Sequence, residues 1–204
     1  NGTSYYAWTV SGAGEGPGHG MASTLPQDGS FVAWNGFDGS TANTELTLYQ
    51  DLAIPANSLT TLSWNDRVQW NFTLGATATV ERIYEVELLD PTTGNLLETL
   101  FTWSTGTQAE APTGDSGWTL HSADLSAHAG STVRLMFRET IPESLTGPGQ
   151  IEFDDIKLDV LPITDVGSVT FDADSYKIGD RVTITVNDGG LIGSGSLTVS
   201  VVSI

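Results

Sequence analysis

The sequence contains no cysteine, and only seven lysines and arginines stand against 25 aspartates and glutamates among its 204 residues. Without cysteine the chain forms no disulfide and has neither a thiolate metal site nor a cysteine nucleophile. The net charge of -18 opposes binding to nucleic acid or to an anionic membrane surface. It suits a cation-rich or calcium-containing medium, or it serves only to keep an acidic surface in solution.

Long apolar runs and helix signals are also scarce in this sequence. No run approaches the roughly 18 apolar residues that cross a bilayer as a helix, so we expect no membrane span. The one helix candidate, over residues 122–130, begins at a Ser or Asp cap and ends at Gly130. It covers one or two turns at most, so the sequence predicts a protein built from strands.

Alternating apolar and polar residues recur along most of the chain. Two segments carry clear apolar rows of one parity, namely Leu62, Trp64, Val68, Trp70 and Phe72, and then Val133, Leu135, Phe137 and Ile141. Turn residues such as Asp90-Pro-Thr-Thr-Gly94 and Gly147-Pro-Gly149 separate the strands. This pattern predicts an all-β fold, an antiparallel jelly-roll β-sandwich followed by a partial immunoglobulin-like (Ig-like) β module.

The alternation breaks once within residues 151–160, which hold two apolar sets of opposite parity: Ile151 and Phe153, then Ile156, Leu158 and Val160. A regular strand cannot place both sets on one face, so Asp154-Asp155 must absorb an extra residue, as in a β-bulge. Two adjacent carboxylates at such an irregularity predict a cation site. They do not predict a glycosidase pair, because neighbouring strand residues point to opposite faces.

A domain boundary is predicted at Pro162, between a jelly-roll domain over residues 1–162 and a second module over residues 163–204. The second module offers about three strands, whereas a free-standing Ig-like sandwich needs about seven. Either the module is truncated, or its missing strands come from elsewhere. Strand donation by a neighbouring subunit would satisfy such an open edge.

Catalytic motifs are weak, and we expect no enzyme. Gly114-Asp-Ser-Gly117 matches the nucleophile segment of trypsin-like proteases only in part, because the following Gly-Pro and the matching histidine context are missing. The histidines His19, His121 and His128 lack the paired spacing of metal ligands. The glycine-rich residues 12–20 match no phosphate-binding loop, which favours a flexible loop or a subunit contact.

Several blocks of the sequence resemble the jelly-roll modules of secreted bacterial and archaeal surface proteins, which are similar in shape to many carbohydrate-binding modules. The resemblance covers residues 42–161 and is carried by Leu48-Tyr-Gln-Asp-Leu-Ala-Ile-Pro-Ala56, Tyr84-Glu-Val-Glu-Leu-Leu-Asp90, Thr132-Val-Arg-Leu-Met-Phe137 and Phe153-Asp-Asp-Ile-Lys-Leu158. Residues 168–204 resemble the opening strands of Ig-like repeats in large surface proteins. Both resemblances imply an extracellular or cell-surface location.

The jelly-roll resemblance also implies a structural calcium ion near the last strand of that domain. Asp154 or Asp155 would bind it, with Asp38 or Asp28 as further ligands from early loops, since calcium takes about six to eight oxygen ligands in flexible geometry. The alternative interpretation is that all four carboxylates make local hydrogen bonds with the backbone.

Six tryptophans make sugar binding a candidate function, because exposed aromatic rings stack on pyranose faces. The strand pattern predicts Trp64, Trp70 and Trp118 in the core. It leaves Trp34 and Trp103 less constrained, so these two are the candidate sugar-binding platforms, with burial in the core as the alternative for each. The sequon Asn71-Phe-Thr73 predicts N-glycosylation at Asn71 if the source glycosylates.

Two functions from different classes remain. The first is a non-catalytic extracellular subunit, structural or adhesive, of a surface layer, fibre or large surface protein, which calcium stabilises and which self-associates with neighbouring subunits. The alternative is a carbohydrate-binding module of a secreted enzyme, with a polysaccharide as its partner. We favour the first, because the half module at the carboxyl end, with about three strands, is not expected to be stable as an isolated unit.

Overall fold

The computed structural model describes residues 5–14, 24–37, 44–143, 145–163 and 168–187. These residues form twelve β-strands and two 3₁₀ turns. All strand pairs whose residue-by-residue register is defined are antiparallel. The predicted all-β antiparallel fold is therefore confirmed. The chain divides into two compact units, Asn1–Val160 and Leu161–Ile204, close to the boundary predicted at Pro162. No helix in the described ranges is long and apolar enough to cross a membrane.

A six-stranded sheet forms one layer of the first unit. Its order is β1 (Tyr5–Ser11), β2 (Val32–Phe37), β10 (Gly149–Pro162), β4 (Ser58–Asn71) and β7 (Thr113–Asp115). One more strand, β8 (Thr119–Asp124), also pairs with β4. Because β8 pairs with residues 61–66 of the long strand β4 and β7 with residues 69–71, the two short strands share one edge of this sheet.

A four-stranded sheet forms the facing layer, in the order β3 (Thr44–Ala53), β9 (Thr132–Ile141), β5 (Ile83–Leu89) and β6 (Leu96–Ser104). Along β9 every second residue is buried, which confirms the predicted inward row from Val133 to Ile141. Glu139 belongs to the same row and is only 3% exposed. One buried position of this row therefore carries a carboxyl group.

The core lies between the two sheets and is rich in aromatic rings. Phe137 of β9 and Phe153 of β10 approach to 4.4 Å between ring centroids, and Trp64 of β4 lies 6.4 Å from Phe137. Each of these side chains is at most 3% exposed. Removing such a ring, as in Phe153→Ala, costs about 3–5 kcal/mol of stability, since both burial and packing are lost.

The strand irregularity predicted in β10 is present at Asp155, which adopts the left-handed conformation with φ 52°. Before it, Ile151 and Phe153 are buried in the core. After it, Leu158 packs against the core, whereas Ile156 and Val160 are 43% and 38% exposed. The second apolar set therefore contributes less to the core than its parity alone indicated.

Two further expectations change in the structure. The predicted helix over residues 122–130 is replaced by the end of β8 and one 3₁₀ turn, Ser126–His128. Trp118 and Leu120 do not belong to the core, and Leu120 is 67% exposed. The reason is the register of β8, which turns His121, opposite Trp64, toward the core and its neighbour Leu120 toward solvent.

The second unit is described through residue 187, without residues 164–167. Here β11 (Ser168–Phe171) pairs with β12 (Ile184–Asn187) as an antiparallel two-stranded sheet. Val169 and Phe171 are 53% and 52% exposed. The last strand predicted from the sequence, over residues 197–202, lies outside the described residues, and the Ig-like character of this unit stays a prediction.

Candidate functional site

A cleft of about 250 Å³ opens between the two sheets of the first unit. We call it the edge cleft, because β6 is the last strand of one sheet and β7 and β8 share the edge of the other. Its lining combines aromatic, acidic and hydroxyl-bearing side chains: Asp66, Val68, Tyr84, Phe101, Trp103, Ser116, Thr119 and His121.

Strand register explains why polar groups line this cleft. Asp66 has the same parity as Trp64 and Val68 in β4, so it faces inward with them. Across the sheet, β8 places His121 opposite Trp64 and Thr119 opposite Asp66. Inward-facing side chains of β4 and β8 therefore line the cleft, at the position where Asp66 interrupts the apolar row of β4.

Asp66 and His121 form a pair at the inner wall of the cleft. The Nε2 atom of His121 lies 3.2 Å from Oδ2 of Asp66, and the indole of Trp64 donates a hydrogen bond of 3.0 Å to the same oxygen. The His121 ring stacks on Trp64 and lies 4.2 Å from Phe101 between centroids. Burial raises the pKa of Asp66, and the attraction of His121 opposes this rise.

Tyr84 and Trp103 are two further side chains in the lining of the edge cleft. Tyr84 is 2% exposed, and its hydroxyl makes no hydrogen bond of normal geometry. Burial, and then the nearby Asp66 carboxylate, raise the pKa of Tyr84, so its hydroxyl stays protonated and can donate. Trp103 is only partly buried, and its ring packs edge-on against Trp70 at 5.3 Å. The contact with Trp70 therefore holds the indole of Trp103 in place in the lining of the cleft.

Ser116 lines the cleft but does not act as an activated nucleophile in this geometry. Its hydroxyl accepts a hydrogen bond of 2.8 Å from the Val68 amide and donates one of 2.8 Å to the Gly117 carbonyl. The first bond ties the segment between β7 and β8 to β4, and the second lies within that segment. Ser116 therefore has a structural role in this connection.

The two tryptophans predicted as sugar-binding platforms differ in their position: one is buried and the other lines the cleft. Trp34 lies in β2, between β1 and β10, and is 4% exposed. A ring with so little exposed surface offers no stacking face, so Trp34 is not a platform in this structure. Trp103 lines the edge cleft. Asp66 is not among the residues predicted for a site, although a carboxylate at an inward position of an apolar row is a usable signal.

Asp154, one of the carboxylates predicted to bind calcium, holds a loop by hydrogen bonds to its backbone amides. Oδ2 of Asp154 accepts hydrogen bonds from the amides of Gln27 at 2.7 Å and Asp28 at 3.0 Å, and its Oδ1 accepts one from Asp155 at 2.8 Å. The same loop is fixed by Glu152, whose Oε1 accepts from the Leu25 amide at 3.2 Å. We call residues 24–28 the strap.

Hydrogen bonds and an ion pair occupy the three predicted calcium-binding carboxylates that the structure describes, and calcium binding stays a prediction. The oxygens of Asp154 face N–H donors, the carboxylate of Asp155 pairs with the Lys157 ammonium at 2.6 Å, and Asp28 accepts from the Gly29 amide. No group of three or more potential metal-binding side chains occurs in the part of the chain that the structure describes. Asp38, the fourth predicted ligand, lies outside the described residues.

The predicted glycosylation site, Asn71, ends β4. Its Oδ1 accepts hydrogen bonds from the amide of Thr73 at 3.0 Å and from the Thr73 hydroxyl at 2.6 Å. These bonds cap the 3₁₀ turn Phe72–Leu74 and leave the amide nitrogen of the side chain unused by them. Glycosylation at Asn71 stays a prediction.

Comparison with known proteins finds structural likeness alone, since no family model and no curated protein match the sequence. A CBM4 structure, where CBM denotes a carbohydrate-binding module, is 14% identical with a TM-score of 0.37 and covers 77% of this chain and 85% of its own. TmCBM61, solved with β-1,4-galactotriose, is 15% identical with a TM-score of 0.38 and coverages of 74% and 87%. The cleaved K3 adhesin domain of Lys-gingipain from Porphyromonas gingivalis is 14% identical with a TM-score of 0.40 and coverages of 70% and 81%. At these values the likeness says nothing about the ligand of this chain.

Proposed function

We propose that this protein is a non-catalytic saccharide-binding domain whose ligand occupies the edge cleft. The observation that carries the proposal is that the partly exposed indole of Trp103 and the Asp66 carboxylate line the same cleft of about 250 Å³. An aromatic face stacks on the apolar face of a pyranose, while a carboxylate accepts hydrogen bonds from its hydroxyls. The Tyr84 hydroxyl and Thr119 add further polar contacts.

The charge of the chain narrows the class of saccharide. With a net charge of -18, the protein repels acidic polysaccharides such as those rich in uronate or sulfate. The carboxylate of Asp66 within the cleft acts in the same direction at short range. We therefore propose a neutral polysaccharide in an extracellular or cell-surface setting.

The composition of the cleft supports binding rather than hydrolysis. Glycoside hydrolysis uses two carboxyl groups that flank the bond to be cleaved. Among the residues that line the edge cleft, Asp66 is the one carboxylate, and the Ser116 hydroxyl is held by the backbone. Carbohydrate binding, the alternative function derived from the sequence, is therefore preferred here to the structural or adhesive subunit that the sequence favoured.

A glycan array of neutral and acidic polysaccharides, followed by calorimetric titration of the best ligand, tests the proposal. We expect Trp103→Ala to weaken binding about tenfold or more, because a stacking platform is lost. Tyr49→Ala is the matched control, since Tyr49 is 56% exposed on β3, away from the cleft lining. An array without any bound saccharide, or a folded Trp103→Ala variant of unchanged affinity, refutes the proposal.

Self-association is a second candidate function, and the second unit supports it. Val169 and Phe171 expose about half of their surface on a sheet that has two strands among the described residues, and a sheet of that size is marginally stable in isolation. Pairing with a neighbouring subunit would cover these side chains. Sedimentation velocity of the full chain tests this: we expect Val169→Thr with Phe171→Ser to shift assemblies toward the monomer, and a monomeric wild type refutes it.

A further inference from the structure

A second and much smaller cavity, of about 10 Å³, lies beside the edge cleft. We call it the inner pocket. It shares Val68, Tyr84 and Trp103 with the cleft, and Glu139, Arg82 and Thr105 are among its other walls. A volume of this size accommodates about one water-sized group. The shared side chains Val68, Tyr84 and Trp103 therefore form a common wall of the inner pocket and the cleft.

Two residues that line the inner pocket, Glu139 and Tyr84, each carry a buried polar atom without a hydrogen bond of normal geometry, and Asn35 lies behind Glu139 outside the lining. Glu139 is 3% exposed, and its Oε2 makes no hydrogen bond of normal geometry, as is also true of the Tyr84 hydroxyl. Asn35, which lies next to Glu139 and is fully buried, makes no side-chain hydrogen bond of normal geometry. Each buried polar group left in this state costs about 1–3 kcal/mol, and folded proteins retain few of them. A ligand group that donates and accepts hydrogen bonds would relieve this cost.

The charges around the inner pocket favour a neutral group over an ion. Arg82 donates to Glu143 at 2.6 Å and to the carbonyl of Gly147 at 2.7 Å, so its positive charge is already matched by a carboxylate. Burial raises the pKa of Glu139 to about 7, and Arg82 and Asn35 act against this rise. Near neutral pH the Glu139 carboxyl can therefore serve as a donor or as an acceptor toward a hydroxyl.

We infer that the inner pocket receives the hydroxyl of the exocyclic hydroxymethyl group of a hexose whose ring lies in the edge cleft. The inference rests on the proposed function and specifies its substrate class. Ring hydroxyls are attached directly to the ring, whereas the hydroxymethyl group reaches one carbon farther. The hydroxymethyl group can therefore extend past the side chains that line both cavities while the sugar ring stays against Trp103. Glu139 and Tyr84 then determine a preference for hexopyranosides over pentopyranosides.

Titration calorimetry with matched sugars tests this on the unmodified full chain. A hexoside identified on the array is compared with the pentoside of the same ring stereochemistry, for example cellotetraose with xylotetraose, or methyl β-D-galactopyranoside with methyl α-L-arabinopyranoside. We expect the pentoside to bind at least about tenfold more weakly, because the buried polar atoms lose their partner. Equal affinities, or an array that captures pentosides alone, overturn the inference and leave the proposed function intact. An array with no bound saccharide overturns both.

Variants at Glu139 test its role as a positioning residue for the ligand hydroxyl. Glu139→Met keeps the length of the side chain but removes its polar atoms, so we expect the ratio of hexoside to pentoside affinity to fall to near one. Glu139→Gln keeps a hydrogen-bonding end and should retain an intermediate ratio. Glu98→Gln is the control, because Glu98 is 47% exposed and carries the same charge. A folded Glu139→Met variant with an unchanged affinity ratio contradicts the inference. Thermal unfolding verifies that the variant is folded. If the variant does not fold, the comparison of hexoside and pentoside binding by the wild type decides the question.

Discussion

Asp66 and Glu139 are carboxylic acids at positions where the neighbouring inward residues of their strands are apolar. In β4 the neighbours are Trp64 and Val68, and in β9 they are Phe137 and Ile141. A carboxyl group in such a row loses hydration on folding, which is why burial raises the pKa of both. Asp66 gains a histidine and an indole as partners, whereas Glu139 keeps one oxygen without a hydrogen bond.

The raised pKa of Glu139 predicts a pH dependence of stability. Its folded-state pKa of about 7 exceeds the ordinary value of 4.5, so the folded state binds more protons than the unfolded state between these values. The favourable contribution is therefore fully present below pH 4.5 and is lost as the pH rises through 7. Relative to Glu139→Gln, we expect the wild type to lose up to about 3 kcal/mol across this window.

Urea unfolding of the wild type and of Glu139→Gln at several pH values measures this difference. Glu143, Arg82 and Asn35 surround the same carboxyl group and are present in both proteins, so their own effects cancel in the comparison. A difference in unfolding free energy that does not change between pH 4.5 and pH 7 would show that Glu139 does not titrate in this window.

At the scale of elements, β10 joins several features of the first unit. Ile151 and Phe153 supply the core, and Glu152 and Asp154 hold the strap through backbone amides. The left-handed Asp155 interrupts the strand directly after these contacts. Core contacts and strap contacts therefore alternate along residues 151–154, because successive strand residues point to opposite faces, and the irregularity follows both.

Loss of the Asp154 carboxylate should loosen the strap without unfolding the sheet. Asp154→Ala removes two hydrogen bonds to the amides of Gln27 and Asp28, which corresponds to about 1–3 kcal/mol of local stability. We expect hydrogen exchange at these two amides to accelerate by about tenfold to a hundredfold. Asp159→Ala, at an exposed position of the same strand, is the control and should leave both rates unchanged.

At the scale of the whole molecule, acidic repulsion opposes the compact state. The few basic side chains are largely committed to ion pairs such as Arg67 with Asp115, Arg134 with Asp51 and Arg138 with Glu87. The excess carboxylates therefore repel one another across the surface, and salt screens this repulsion.

Salt should consequently stabilise the protein. We expect the melting temperature to rise by about 2–5 °C between low salt and 0.5 M sodium chloride, a shift that corresponds to roughly 1 kcal/mol for a domain of this size. Calcium chloride at matched ionic strength extends the measurement to the calcium ion predicted from the sequence. A larger rise in melting temperature with calcium chloride than with sodium chloride, abolished in Asp154→Asn, would support a bound calcium ion. Equal rises with the two salts would show that calcium acts only by screening charge. A melting temperature that does not change with salt would contradict the role given to charge repulsion.

Composition and alternation by themselves determined the all-β class, the inward rows of β4 and β9 and the irregularity at Asp154-Asp155. These features follow from local parity, because successive strand residues point to opposite faces whatever the partner strand is. Only the tertiary structure decided that Trp34 is buried, that Asp154 holds the strap, and that Trp103 shares a cleft with Asp66 and His121. Those outcomes depend on which strands pair and in which register, and residues far apart in the chain decide both.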